Sequence, residues 1–150
     1  FGCFLAAVCL CKNPDDDARR IKRKEDLIPD ITLPLRDYFI AKQDEIILKL
    51  MFNCFNAVRT VFPDEYNDSK KFVLWKTTGF SAIIKSFPEL YRAGEKQHDL
   101  SEDFFTRAFS KVKELLIERK ISLTGEKFGG GGKQVQQQFT QIIVEAMTSI

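Results

Sequence analysis

Histidine and patterned cysteine are what this 150-residue chain has least of: one histidine, His98, and four cysteines at positions 3, 9, 11 and 54. No C-x-x-C pair occurs, and His98 lies in a polar stretch far along the chain from the cysteines. A zinc centre needs about four Cys or His ligands at characteristic spacings, so no metal is expected. His98 also has no nucleophile or orienting acid beside it and reads as a surface-loop residue. No carboxylate pair stands out for acid–base work, and no catalytic residue is assigned. The cysteines read as reduced, buried side chains of a cytoplasmic protein.

Long apolar runs are missing too. The longest, F-G-C-F-L-A-A-V-C-L-C from Phe1 to Cys11, falls short of the roughly 20 residues that span a bilayer. It has no basic region before it and no small-residue cleavage site after it, which argues against a signal peptide. No membrane partner is expected. An excess of one charge is also lacking: the net charge of +2 forces no partner. No internal repeat occurs, and the glycine tetrad Gly129–Gly132 is the only low-complexity stretch.

What is present suits a soluble globular protein. Hydrophobic residues make up 44% and charged residues 29%, enough apolar matter to fold and enough charge to dissolve. The length suffices for one domain with a sizeable core. Fourteen phenylalanines predict that the core is rich in Phe.

Residues 1–12 read as an interior apolar strand whose neighbours lie upstream, the remnant of a truncated α/β core. Residues 13–150 read as a helical domain. Asp15 to Asp17 are N-cap candidates for a helix beginning near Ala18. Pro29 and Pro34 mark an irregular connection. A long helix, clear from Asp44, sets Ile47, Met51, Cys54, Phe55, Val58, Val61 and Phe62 on one stripe and ends before Pro63. A polar turn over residues 63–69 follows. Thr77 or Thr78 can cap the next helix, with Pro88 starting a new turn and Gly94 ending it. Trp75 reads as core. Ser101 caps a helix carrying Phe105, Ala108, Phe109, Val112, Leu115 and Leu116 on one face. The last helix, from Lys133, faces inward through Val135, Phe139, Ile142, Ile143, Ala146 and Met147. The fold class is mainly α: four to five amphipathic helices around a Phe-rich core, with a short N-terminal apolar strand.

Three places invite a phosphate. Arg19, Arg20, Lys22, Arg23 and Lys24 form a basic run, though acidic residues on both sides largely neutralise it. Gly130, Gly131 and Gly132 before Lys133 resemble an anion-binding helix start. The Walker spacing fails, because Lys127 stands at the first glycine position and Gln134 where magnesium needs Ser or Thr. A hinge or tight packing site explains the tetrad as well. Lys76, Thr77 and Thr78 bring a lysine and two hydroxyls to one loop, where capping alone accounts for the threonines.

Three blocks in fixed order carry a resemblance: N-C-F-N-A-V-R-T-V-F-P-D-E-Y-N from Asn53 to Asn67, K-T-T-G-F-S-A-I-I from Lys76 to Ile84, and F-G-G-G-G-K-Q-V from Phe128 to Val135. Together they resemble the C-terminal region of DGQHR-domain (DndB-like) proteins, over Asp17 to Met147. The namesake motif itself is missing, since Gln97-His98 follows Glu95-Lys96. Tyr66 stands where Trp is frequent, and the glycine run lacks its usual interruption. The resemblance implies a cytoplasmic protein linked to DNA modification, in a regulatory or DNA-associating role. It implies a non-catalytic helical part that supports an N-terminal core of the same protein, with no cofactor. Two alternatives stay open: a protein-interaction module that forms homo-oligomers, and a nucleotide-binding enzyme fragment using Gly129 to Lys133.

Overall fold

Helix accounts for nearly all the regular structure of the computed structural model, which describes residues 6–125 and 132–150. The order is a π-helical turn Ala6–Leu10, then α1 (Pro14–Arg23), α2 (Arg36–Ile40), α3 (Asp44–Val61), α4 (Pro63–Asn67), α5 (Thr77–Lys96), α6 (Glu102–Glu118) and α7 (Gly132–Met147). The chain forms two compact units, Phe1–Lys49 and Leu50–Ile150, with the boundary inside α3. Among the described residues the β-structure is a single antiparallel bridge between Phe72 and Thr124.

In the first unit, the strand expected over residues 1–12 is corrected for residues 6–10, which are helical; residues 1–5 lie outside the described residues. A strand there would leave its backbone groups needing neighbours. Within the turn, the Cys9 carbonyl accepts the Leu35 N–H at 3.0 Å. Helix α1 starts at Pro14, earlier than expected, because Asn13 caps it by accepting the Asp16 N–H at 3.2 Å. Proline suits the first helical position, where its missing N–H costs nothing. Asp17 is therefore no cap. It is buried and paired with the buried Arg36 of α2.

In the second unit, α5, α6 and α7 bury one another, with α7 packed chiefly on α5 and then on α6. Phe62, Phe87, Phe104, Phe105, Phe109 and Phe139 are almost fully buried, so the Phe-rich core is real. Ser101 caps α6 as expected, accepting the Phe104 N–H at 3.3 Å. Three local expectations yield to packing. Pro63 does end α3, but it opens the single-turn α4 instead of a plain polar turn. Pro88 lies inside α5, and the helix continues past Gly94 to Lys96. An internal proline costs about 3 kcal/mol, yet Ile83, Ile84, Phe87, Leu90 and Tyr91 are all buried along this helix, and that burial offsets it. Gly94 is explained by close approach: a Cβ there would lie 2.6 Å from Leu100 Cδ2 and 2.7 Å from the Asp99 carbonyl oxygen.

Candidate anion-binding groove

The stretch between α4 and α5 turns on Asp68. Its Oδ1 accepts the backbone N–H groups of Lys70 and Lys71, each at 3.1 Å, and its carbonyl accepts that of Phe72 at 3.0 Å. The chain then runs beside residues 123–125. Val73 N–H donates to the Leu123 carbonyl at 2.8 Å, and Gly125 N–H to the Lys71 carbonyl at 3.0 Å. Buried Val73, Leu74 and Leu123 anchor the pair from below. Lys76 closes the arrangement as its N–H donates to the Val73 carbonyl at 3.0 Å.

This lacing creates a hollow of about 380 Å³ lined by Lys70, Lys71, Lys76, Thr124 and Gly125. Three lysines and a threonine lie in its wall, and among the described residues no carboxylate lines it. Gly125 matters here because a Cβ would stand 3.3 Å from Lys76 Nζ, so the bare backbone lets that ammonium approach. Lys71 Nζ lies 5.0 Å from the Phe72 ring centroid, a cation–π distance. Lysine offers donors and no acceptor. Such a hollow suits a phosphate or another oxyanion, not a cation or a neutral apolar ligand. A hollow of similar size, near the end of α7, includes Glu89, Arg92 and Lys96. There Glu89 and Arg92 pair with each other, so its charges largely cancel.

Of the residues singled out from sequence, Lys76 lies in the groove. Thr77 and Thr78 do not line it: they are the first residues of α5, and their carbonyls accept from Ser81 Oγ. Lys76, not a threonine, occupies the cap position, and no side chain caps the helix. Gly132 is the first residue of α7 and Lys133 is exposed in its first turn. Gly130 and Gly131 lie outside the described residues. The basic run sits on α1, in the other unit. Arg19 and Arg20 bond Asp16 at 3.4 and 3.1 Å, Arg23 reaches Glu25 at 4.0 Å, and Lys24 takes a left-handed conformation at the end of α1. Lys22 is exposed.

Sequence reasoning missed Lys70 and Lys71. The available signal was the spacing K-K-F-V-L-W-K, basic residues interleaved with aromatics, but only the bridge to Thr124 turns it into a concave site. Trp75 is half-buried, not sealed in the core. His98 is exposed in a loop with φ 53°.

The thiols of Cys9 and Cys11 are poor nucleophiles. Burial pushes Cys9 up to about 12, and burial with a hydrogen bond to Asp17 raises Cys11; reactivity needs the thiolate. Hydrogen bonds from Lys12 and Thr32 hold Asp30 at about 2, and those from Ser101 and Arg107 do the same for Asp99. These half-buried carboxylates brace loops. Among the described residues no group of three His, Cys, Asp or Glu could hold a metal ion, and no helix is long and apolar enough to cross a membrane.

No protein-family model, curated protein or solved structure matches this chain.

Proposed function

We propose that this chain is the helical, non-catalytic part of a cytoplasmic DGQHR-type protein associated with DNA modification, and that it contacts DNA through backbone phosphates. One observation supports the DNA-associating role: the groove of Lys70, Lys71 and Lys76, which no carboxylate lines among the described residues. The three ordered sequence blocks support the family. The basic run of α1 contributes less, because Asp16 and Glu25 already engage three of its arginines.

Phosphate contacts release counterions, so affinity should fall steeply with salt, with a log–log slope of about −0.9 per phosphate neutralised. The test is anisotropy of a labelled duplex across a salt series, with the 150-residue chain and a Lys70→Gln/Lys71→Gln/Lys76→Gln variant. The variant is expected to bind more weakly on every duplex sequence and to lose roughly two to three units of salt slope. Arg19→Gln/Arg20→Gln should change the slope by less. Salt-independent binding, or an unchanged slope in the lysine variant, would refute the reading.

The protein-interaction alternative draws on Phe52 and Ile117, 65% and 69% exposed. Single exposed apolar side chains are ordinary on protein surfaces. A dimer by light scattering, together with no DNA binding, would favour that alternative.

A further inference from the structure

Hydrogen bonds from both sides converge on Asp68, the residue that ends α4. Its N–H donates to the Asp64 carbonyl at 3.1 Å, which ties it back to that helix. Its carbonyl accepts the Phe72 N–H, and its Oδ1 accepts the N–H groups of both Lys70 and Lys71. An aspartate that bonds the backbone two residues on sets a tight turn, and its charge strengthens such bonds. Lys71 is also held from the other side, because its carbonyl accepts the Gly125 N–H at 3.0 Å. The backbone carrying Lys70 and Lys71 is thus fixed beside Gly125 before any anion arrives. A segment ordered in advance need not be ordered on binding, which favours affinity. Charge alone acts in the opposite sense. A carboxylate bonded to the backbone of two groove residues repels a bound anion, an effect of roughly twofold in affinity where water screens it. Geometry and charge therefore predict opposite outcomes when Asp68 is replaced.

We infer that Asp68 is a positioning residue for the groove: it holds Lys70 and Lys71 in place, and anions bind more tightly with it than without it, despite its negative charge. The inference rests on the phosphate reading above and adds the residue that prepares the site. Anisotropy of the labelled duplex at low salt is measured for the 150-residue chain, for Asp68→Asn, Asp68→Glu and Asp68→Ala, and for the triple lysine variant. Emission of Trp75, the sole tryptophan, verifies that each variant is folded at the temperature of the titration. Asp68→Asn keeps an oxygen acceptor at the same reach and removes the charge, so it is expected to bind within about twofold of the parent. Asp68→Glu keeps the charge and displaces the acceptor by one methylene. It is expected to bind roughly three- to tenfold more weakly, as is Asp68→Ala, because the segment must then be ordered on binding. Where Asp68→Ala does not fold, the Asn and Glu variants decide between geometry and charge. Tighter binding by Asp68→Ala and Asp68→Asn with Asp68→Glu unchanged, or equal affinity in all three, overturns the positioning role and leaves the phosphate groove standing. No binding by the parent, or full binding by the triple lysine variant, overturns both.

Discussion

Replacing Arg36 with methionine is expected to destabilise the first unit by about 3–5 kcal/mol, the usual result of stripping one partner from a buried ion pair. Arg36 is 4% exposed and Asp17 8%. The guanidinium holds both Asp17 oxygens, the Nη2–Oδ1 bond measuring 2.7 Å. It also donates to the carbonyls of Ile28 and Leu10, each at 3.0 Å. One side chain thus ties the π-helical turn, α1 and the irregular connection together. Without it, Asp17 is a buried carboxylate lacking its counter-ion, and two carbonyls lose donors. Backbone amide exchange at Leu35, Phe39 and Ala41 gives the readout, because their N–H bonds lie within this unit. Unchanged protection would show that the pair is structurally idle. The double variant Asp17→Leu/Arg36→Met should recover much of the loss, since it removes both charges together.

The same pair sets an acid limit. The bonds from Arg36 hold the Asp17 carboxyl below its ordinary value, against the opposing effect of burial. A carboxylate depressed in the folded state binds its proton more readily once unfolded. Its stabilisation is therefore complete above the unfolded value of about 3.9. It is lost as pH falls from there through the folded value. Amide protection of the first unit should stay flat with respect to Asp17 above about pH 5 and decline at lower pH.

Gly79→Ala is expected to cost the second unit about 3 kcal/mol, although alanine is normally better than glycine within a helix by about 1 kcal/mol. A Cβ at Gly79 would stand 2.4 Å from the Val73 carbonyl oxygen, 2.6 Å from that of Leu74 and 2.7 Å from Leu74 Cα. All three are backbone atoms that cannot swing aside. Val73 is bonded to Leu123 and Lys76, so relief would unlace the groove. Sterics should defeat propensity here. Urea unfolding followed by Trp75 emission would show a midpoint lower by about 1–2 M. A midpoint equal to or above the parent's would refute the packing account. The glycine of K-T-T-G is thereby explained by close approach, with no ligand required.

Helical periodicity made the second unit readable from sequence. Phe105, Ala108, Phe109, Val112 and Leu116 are all buried on α6, as are Val135, Phe139, Ile142, Ile143 and Ala146 on α7. Such faces depend on spacing alone, which a linear reading captures. Where tertiary contacts outvote local chemistry, the reading fails. Pro88 looks like a breaker, and only the burial of its neighbours keeps α5 whole. Asp17 looks like a cap until Arg36 arrives from the next helix. The groove needed a pairing between Phe72 and Thr124 that no local pattern announces. Lys76 was visible because it abuts a helix start, whereas Lys70 and Lys71 looked like solvated charge.

Cys9 and Cys54 are at most 1% exposed and Cys11 is 7% exposed, and none of the three belongs to a disulfide. Cys9 and Cys11 belong to the first unit and Cys54 to the second. An alkylating reagent reaches such groups mainly through transient openings of the surrounding fold. Each unit therefore carries its own chemical clock, and the order in which these thiols gain mass would time the breathing of one against the other.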